Sequence, residues 1–481
     1  MAIRDYQPQQ FTLFFSNPKD ILGNEHLCFV VDDIVEYIDL SKLPNKRGTV
    51  GAPCYDYRVL IKILFYGYAT GTFSSRKLMS SCQENISYLY LTRQQIPNFR
   101  TISDFRKNYQ SFLEECFVKI VKAAKEIGLI KLGLVSLDST KIRANASNQK
   151  TFTQDELKEQ IERIEKSIDD AIKLDEAEDK LYGTDKTGNE LPEDIKDQKK
   201  RLKKIKQALN KAKKENKQKI NLTDADANFM KDKQTIQTNY NCQLAVDNKT
   251  KLILANNVIT NPADSSEVKT QVETIEDTFQ EKPKELLADS GYYSVDNLAY
   301  LQGKQIKGYI PHQDDARNIK NIFKDKQGLF DKRIFKYNRI KDQYTCPEGN
   351  ILHKKTIQSK KGLTLYQAKD CPQCTKQKLC LRGKARFRHI ARYTTMEDSI
   401  IKMRNRLISK TGKAKYSQRA PTIETPFGHF KKNLGFRQFF CRGRPAVLTE
   451  FKLLCIGYNI RKIAPFIYNF KRKIQFTLAL N

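Results

Sequence analysis

Apolar residues recur at helical spacing through the first part of this chain of 481 residues. Between residues 55 and 127 they return every three or four positions, and the pattern stops at Gly71 and Gly128. Ser74 and Ser75 are suited to cap a helix, because a serine hydroxyl accepts a hydrogen bond from a free N–H of the first turn. The pattern predicts a compact helical unit, which either binds DNA or only packs.

Strand-like patterns follow this helical unit. Residues 131–143 predict a strand that carries Asp138 at the end of an apolar run, and the alternating segment 240–260, with its DNK turn, predicts a β-hairpin. Residues 265–280 predict a helix. Two more short strands are predicted at KELLADSG, which ends near Asp289, and at IKGYIP. Strands and helices in this order indicate a mixed α/β core.

Two stretches interrupt this core. The first contains two heptad seams joined by a polar turn at 183–192, which predicts an antiparallel helical hairpin or, alternatively, a solvated arm without activity. The seam positions are Leu157, Ile161, Ile164, Ile168 and Ile172, then Ile195, Leu202, Ile205 and Leu209. The second stretch, residues 312–395, is basic and contains cysteines, and its pattern predicts loops. From residue 396 onwards the chain is again predicted to be helical.

Charge changes this picture by pointing to a polyanionic partner. The chain has 86 Lys and Arg against 55 Asp and Glu, a net charge of +31. Residues 401–481 contain 18 basic residues and only two acids, Glu424 and Glu450. A segment so one-sided is expected to lie along phosphates, although basic surface also serves solubility. There is no apolar run of membrane-spanning length and no signal-peptide pattern, so we expect a cytoplasmic protein that does not associate with a membrane.

Three acids are candidates for catalysis. Asp138 and Asp289 end predicted strands, and Glu424 lies near the start of a late helix. An aspartate on a buried strand is unfavourable unless something pairs with it, and three converging carboxylates suit two Mg²⁺ ions that clamp a phosphodiester. Each acid also has a structural interpretation: a turn for Asp138 and Asp289, or a favourable charge near the helix N-terminus for Glu424.

Four cysteines cluster in the second insertion, and the others are isolated and expected to remain reduced. They are Cys346, Cys371, Cys374 and Cys380. Four thiolates form a closed tetrahedral zinc site in many small domains, and the role would be structural. Only Cys371 and Cys374 have the CxxC spacing that zinc sites usually show in both pairs of ligands, so His353 is an alternative ligand to Cys346. The other interpretation is four reduced thiols in a loop that bind no metal.

These residues resemble those of bacterial insertion-sequence transposases of the DDE type. The segment APCYDYRVLIKILFYGYATGTFSSRKL is similar to their helical N-terminal domain, VSLDSTKIRANAS to their first catalytic strand and LADSGYYS to the strand with the second acid. Tyr416, Arg419, Glu424 and Lys431 match the Tyr-Arg-Glu-Lys signature of this group, and GFRQFFCRG continues the likeness. The resemblance implies a ribonuclease-H-like, retroviral-integrase-like mixed-sheet core.

The resemblance also implies roles for residues. Asp138, Asp289 and Glu424 would hold two Mg²⁺ ions, with Mn²⁺ as a substitute. Tyr416 would stack on or hydrogen-bond to a nucleotide. The implied DNA-binding residues are Tyr416, Arg419, Lys431, Lys432, Arg437 and Arg442. Some relatives wedge a flipped base with tryptophan, and this chain has none.

The activity implied is cleavage at terminal inverted repeats and strand transfer to target DNA, by a homodimer that joins two transposon ends. Alternatives are a nuclease on the same core and a catalytically inactive DNA-binding protein derived from a transposase. We expect a helical N-terminal DNA-binding domain, a catalytic core in three parts that ends in a basic helical segment, a helical hairpin and a cysteine-containing insertion. The helical domain covers residues 1–128, and the three parts of the catalytic core cover 129–153, 221–311 and 396–481. The helical hairpin covers residues 154–220, and the cysteine-containing insertion covers 312–395.

Overall fold

The computed structural model describes residues 18–44, 54–182, 193–232, 235–312, 329–358, 362–381, 383–394, 396–468, 476 and 478–480. The predicted hairpin turn at 183–192 lies outside these residues. The described residues form two large β-sheets surrounded by helices, which confirms the mixed α/β prediction. No helix in these ranges is both long and apolar enough to cross a membrane.

Helices account for most of the ordered elements. In chain order they are α1 (Pro18–Leu22), α2 (Leu27–Glu36), α3 (Tyr57–Thr70), α4 (Ser75–Glu84), α5 (Ile86–Thr92), α6 (Phe99–Asn108), α7 (Gln110–Glu126), α8 (Gln154–Tyr182), α9 (Glu193–Lys214), α10 (Glu267–Phe279), α11 (Val295–Gly303), α12 (Gln377–Cys380), α13 (Glu397–Ile408), α14 (Lys410–Ser417), α15 (Arg419–Gly428) and α16 (Arg444–Ile467). A π-helical turn, His429–Asn433, follows α15 directly.

The strands are β1 (Leu134–Arg143), β2 (Thr151–Thr153), β3 (Lys219–Asn221), β4 (Asn228–Asp232), β5 (Thr235–Asp247), β6 (Ile253–Ile259), β7 (Glu285–Leu287), β8 (Lys307–Tyr309), β9 (Lys336–Asn338), β10 (Gln343–Thr345), β11 (Ile351–Gln358), β12 (Leu363–Ala368) and β13 (His389–Tyr393). Six of them make the central sheet. Its order is β4-β5-β1-β7-β8, and β6 also pairs with β5. β5 is antiparallel to β1, whereas β7 and β8 continue the sheet in parallel.

The helical prediction for residues 55–127 is confirmed by α3 to α7. The side chain of Asp56 caps α3 by accepting from Arg58 N, and Gly71 ends it with a φ of 92°. A left-handed φ of this kind favours glycine, because a Cβ would clash with the backbone. α3 is apolar on nearly all sides because it is buried on nearly all sides, as expected for a helix in the middle of a core.

Helix α16 joins the helical region to the central sheet. It packs against α3 and α7 on one side and β6 on the other. The closest approach is at Gly457, where a Cβ would lie 2.6 Å from Ala69 N. Any side chain there would therefore push α3 and α16 apart. Val447, Phe451 and Leu454 are among the α16 residues in the single large hydrophobic core that both regions share.

The two insertions have hydrophobic cores of their own. In the first, α8 packs on α9 through Leu157, Ile205 and Leu209, which confirms that the seams face each other. The second is different from the prediction. Its predicted loops include an antiparallel sheet of order β13-β12-β11-β10-β9, so the loop prediction is wrong for much of residues 336–393. Several of these strands have three residues and β11 is mostly exposed, so little of the alternation that marks a strand appears in the sequence.

One buried carboxylate connects several of these parts. Glu450, on α16, is 0 % exposed and accepts hydrogen bonds from Tyr68 Oη at 3.0 Å and from Cys441 N at 2.8 Å. Its Oε1 lies 3.8 Å from Nη1 of Arg106, which is itself buried. A buried charge is tolerated when it is paired and hydrogen-bonded, and Glu450 is both.

We therefore expect Glu450→Gln to destabilise the fold strongly. The substitution leaves the buried guanidinium of Arg106 without its anionic partner, which typically costs about 3–5 kcal/mol in the free energy of unfolding. Urea-induced unfolding followed by circular dichroism measures this loss. Glu424→Gln is the matched control because Glu424 is exposed, and its effect should be within about 0.5 kcal/mol. Equal urea midpoints for the two variants would contradict the role of Glu450.

Candidate active site

Asp138 lies in the middle of β1, and not at a strand end, because β1 continues to Arg143 in register with β5. Its Oδ1 accepts a hydrogen bond from Ser139 N at 2.8 Å, and its Oδ2 accepts one from Arg419 Nη1 at 2.8 Å. Burial raises the pKa of this carboxyl to about 6, an effect that the Arg419 charge opposes and the Asp289 charge reinforces. The Asp138 carboxyl is therefore harder to ionise here than a solvated aspartate would be.

Asp289 reaches the same place from the neighbouring strand. β7 is parallel to β1, and Asp289 follows two residues after it as the cap of a short 3₁₀ turn, Ser290–Tyr292. Its Oδ1 accepts from Gly291 N at 2.8 Å. Because Ser136 of β1 pairs with Leu287 of β7, Asp138 and Asp289 both lie two residues beyond the same paired position, and their charges interact. The structure thus brings two of the three predicted acids together.

Helices α14 and α15 place a cation and a tyrosine over this pair. Arg419, the first residue of α15, makes the ion pair with Asp138, and its side chain is 18 % exposed. Tyr416, three residues earlier, is half-buried. Burial raises its pKa, with a lowering contribution from Arg419 and a raising one from Asp289. A second contact that holds α15 in place is made by Thr422, whose hydroxyl donates to Asn248 Oδ1 at 2.8 Å.

Glu424 is exposed, and among the described residues it does not form a three-acid metal group with the two aspartates. It lies beside the buried face of α15, which Ile423 marks, two turns before Lys431. The Nζ of Lys431, in the π-helical turn that follows α15, donates to the carbonyl of Lys141 in β1 at 2.8 Å, so this turn contacts β1. Among the described residues, no group of three or more His, Cys, Asp and Glu has the spacing of a metal site.

The other predicted DNA-binding cations follow α15. Lys432, Arg437 and Arg442 are exposed. The segment that carries them runs beside the end of β1, where Arg143 N donates to Arg437 O at 3.3 Å. Arg442 Nε donates to Asn145 O at 2.9 Å. These cations thus lie where β1 leaves the sheet, and their guanidinium and ammonium groups reach solvent.

Sequence reasoning missed Asp264. Its Oδ1 accepts from Asn241 Nδ2 and from Gln243 Nε2, both at 2.7 Å, and lies 3.6 Å from Lys141 Nζ. The Oε1 of Gln243 accepts from the hydroxyl of Tyr292, which belongs to the turn that Asp289 caps. Asp264 is therefore linked through one glutamine to the Asp289 turn. In the sequence it stands in NPADSS, an ordinary turn composition, and no local signal separates it from a turn residue.

Asp224 and Asp226, two further acids just before β4, have structural partners. Asp224 is buried and its Oδ1 accepts from Tyr240 Oη at 2.8 Å. Asp226 forms an ion pair with Lys211 of α9, and its Oδ2 accepts from Arg444 N at 2.7 Å. Asp226 thus connects helix α9 of the hairpin to the start of α16, and Asp224 is hydrogen-bonded to β5.

Comparison with known proteins gives matches to two segments of the chain. Residues 16–108 match a family described as Transposase domain (DUF772), and residues 345–464 match one described as Transposase DDE domain. The second match contains Tyr416, Arg419, Glu424 and Lys431. These two segments are thus similar to transposase domains, and together the matches cover less than half of the chain.

Other comparisons add little. None of the curated proteins matches this sequence. Among solved structures, the chain is similar to the one described as "Cryo-EM structure of piggyBac transposase synaptic complex with hairpin DNA (SNHP)". The TM-score is 0.33 at 10 % identity, over 96 % of this chain and 78 % of that chain. A TM-score this low does not establish a common fold, so nothing below depends on it.

The pKa of Asp138 predicts how stability depends on pH. The folded value of about 6 lies above the ordinary 3.8, so the folded chain holds this proton more tightly than the unfolded chain. The protonated Asp138 carboxyl therefore contributes fully to the free energy of unfolding below the ordinary pKa of aspartate. This contribution is lost as the pH rises through the pKa of Asp138 in the folded chain. A pKa difference of about 2 corresponds to about 3 kcal/mol.

Asp138→Asn should remove this dependence. The free energy of unfolding of the variant, minus that of the wild type, should rise by up to about 3 kcal/mol as pH increases through the interval between the two pKa values. Urea titrations at a series of pH values measure the difference. Asp277→Asn, at an exposed aspartate of α10, is the control. A difference for Asp138→Asn that does not vary with pH would show that its carboxyl titrates normally.

Proposed function

We propose that this chain cuts DNA at the terminal repeats of its own element and joins the freed 3′-hydroxyls to target DNA, using Asp138, Asp289 and Glu424. The observation that carries the proposal is the carboxylate pair of Asp138 and Asp289 on adjacent parallel strands, with Arg419 beside it. A strand order with antiparallel strands on one side of β1 and parallel strands on the other supports the ribonuclease-H-like arrangement.

The residues present suit a divalent cation. Burial and the nearby charge of Asp289 disfavour ionisation of Asp138, and a cation between the two carboxylates would offset that cost. Carboxylate oxygens are the ligands that Mg²⁺ prefers, and Mn²⁺ accepts the same set. We propose that Asp138 and Asp289 hold the ions and that Glu424 completes the set from the exposed flank of α15. Bound Mg²⁺ would supply positive charge at the reacting phosphate.

The side chains around the pair have distinct tasks in this proposal. Arg419 is held against Asp138 and is positioned to orient a phosphate beside it. Lys431 is fixed on β1 through the carbonyl of Lys141, and Lys432, Arg437 and Arg442 extend the positive surface along the end of that strand. Tyr416 presents a ring next to Asp289, suited to stack on or hydrogen-bond to the terminal nucleotide.

Two DNA partners follow from this chemistry, the transposon ends and the target. Bringing two ends together requires two active sites, so we propose that the chain acts as a homodimer in its DNA complex. Phosphate contacts by lysine and arginine release condensed counterions, and the affinity for DNA should therefore depend strongly on salt. The net charge of +31 is in keeping with such contacts.

Loss of one carboxylate should stop cleavage while DNA binding persists. We expect Asp138→Asn to reduce Mg²⁺-dependent cleavage of a duplex carrying the element's own terminal repeat by at least about 100-fold, because metal stabilisation of the transition state is worth several kcal/mol. Denaturing gels follow cleavage, and fluorescence anisotropy follows binding, which should not weaken because repulsion is reduced.

The exposed Asp277→Asn serves as the control here too and should cleave like the wild type. Joining of pre-cut ends to a target plasmid separates a transposase from a nuclease, since only a transposase joins them. Undiminished cleavage by Asp138→Asn would refute the assignment of Asp138 as a metal ligand. A wild-type chain that binds the repeat but never cleaves it would favour an inactive DNA-binding protein.

Asp264 should act by positioning. Its Oδ1 accepts two amide hydrogen bonds and so fixes the Gln243 amide that receives the Tyr292 hydroxyl. Asn has an oxygen in the same place, whereas Ala has none. We expect Asp264→Ala to lower cleavage at least about tenfold, a common cost for losing a group that orients metal ligands, and Asp264→Asn to retain most of it. Equal losses in both variants would show that the charge of Asp264 matters, and not its acceptor.

A further inference from the structure

The second insertion contains a cluster of cysteines that the proposed reaction does not use. Cys346, Cys371 and Cys380 belong to a small hydrophobic core formed with Leu352, Tyr366 and Ile390 of the antiparallel sheet. This core is separate from the large core around the central sheet. Such a small core gives limited stability, because little apolar surface is available to bury.

The four predicted cysteines converge, although they come from separate parts of the insertion. Cys346, Cys371, Cys374 and Cys380 all line one pocket. The thiols of Cys371, Cys346 and Cys374 all lie within electrostatic reach of the Cys380 thiol. All four are free thiols.

Tight turns carry three of these cysteines. Cys346 begins a turn in which Gly349 N donates to Cys346 O at 3.0 Å, and Cys371 and Cys374 are joined by a turn with Cys374 N donating to Cys371 O at 3.2 Å. Arg388 N donates to Cys371 Sγ at 3.3 Å. An N–H directed at sulfur favours a thiolate, because it stabilises negative charge there.

Two cations accompany the thiols. The Arg388 guanidinium donates to the carbonyls of Cys380 at 3.0 Å and Phe330 at 2.9 Å, and its charge lowers the pKa of Cys380 against the larger effect of burial. Lys376 stands two residues after Cys374 and interacts with it, although its main partner is Glu348. Positive charge of this kind would offset the net negative charge of a metal bound by four thiolates.

His353, the alternative ligand, is excluded by the register of β11. Leu352 is buried and lines the pocket, and its neighbour His353 is exposed. Successive residues of a strand point to opposite faces, so His353 points away from the cysteines. The fourth position therefore falls to Cys346.

We propose that Cys346, Cys371, Cys374 and Cys380 bind one structural Zn²⁺ ion. Four cysteines in two turns and a short helix are the donor set of closed, tetrahedral zinc sites, which have no open position for a substrate. In the described residues no three of these sulfurs stand at the spacing of an occupied site. Binding would draw the turns together and release the thiol protons, so the ion would join loops that a small core holds weakly.

The metal content of the purified full-length chain tests this proposal without any assay of DNA cleavage. Inductively coupled plasma mass spectrometry after gel filtration should find one zinc per chain. Titration with a mercurial that modifies thiols should release it, and a zinc-sensitive dye follows the release. Replacement by Co²⁺ should give the visible absorption bands of a tetrahedral thiolate site.

The variants separate this site from other thiols of the chain. Cys371→Ser and Cys374→Ser should lose the zinc, whereas Cys54→Ser should keep it, since Cys54 is an exposed cysteine of the helical region. Because a cysteine variant can fail to fold, thermal unfolding of the wild type before and after zinc removal is measured as well, and removal should lower the midpoint. A wild-type chain without zinc, or a Cys371→Ser chain that retains it, overturns the proposal.

Discussion

The arrangement of the whole molecule depends on how Glu450 is satisfied inside the core. Its carboxylate accepts from Tyr68 of α3 and from the backbone of Phe440 and Cys441, and Arg106 of α6 provides the compensating charge. The backbone just before Cys441 runs along the end of β1, where Phe439 N donates to Arg143 O at 2.9 Å. One buried charge thus sets the N-terminal helices against the strand that carries Asp138. Apolar packing alone would allow these layers to slide, whereas a buried ion with several donors permits one arrangement.

In the candidate site, the charges of the two aspartates and the nearby arginine partly offset one another. Burial and the charge of Asp289 raise the pKa of Asp138, and Arg419 offsets only part of that rise. In the proposed reaction, divalent cations would take over this compensation and release Arg419 for a phosphate. The same guanidinium would then serve the free chain and the DNA complex in turn. This explains why an arginine is suitable there: it stays charged in both states and its planar group fits carboxylate and phosphate alike.

The sequence predicted structure correctly where the pattern lies within one segment. It did not predict the role of a side chain whose contacts come from distant segments of the chain. Helical periodicity predicted α3 to α7, and alternation predicted β5 and β6, because each pattern reflects one face against a core. The last part of the chain has two acids of the same type, Glu424 and Glu450, and one is exposed while the other is fully buried. Their neighbours in sequence do not distinguish them, since the partners of Glu450 come from α3 and α6. Asp264 was missed for the same reason, because the amides that it accepts from belong to β5. The convergence of Glu424 with the aspartates stays a prediction.

Both insertions are closed at their bases, which explains how a site from remote segments can form. β2 and β3 pair at the foot of the helical hairpin, with Thr151 opposite Asn221, so the chain leaves and re-enters at adjacent points. In the second insertion, Glu397 accepts from Lys332 Nζ at 2.5 Å and from Tyr393 N at 3.0 Å, which joins the first and last parts of that unit. Closing a loop costs entropy that grows with the length of the loop. An insertion that folds on its own core adds only the short distance between its two ends to the effective loop length. Pairing of β1 with β5, and docking of α15 against β1, therefore cost less than the sequence separations suggest. Since each insertion is held by its own core and base contacts, its length can change without disturbing the register that places Asp138 beside Asp289.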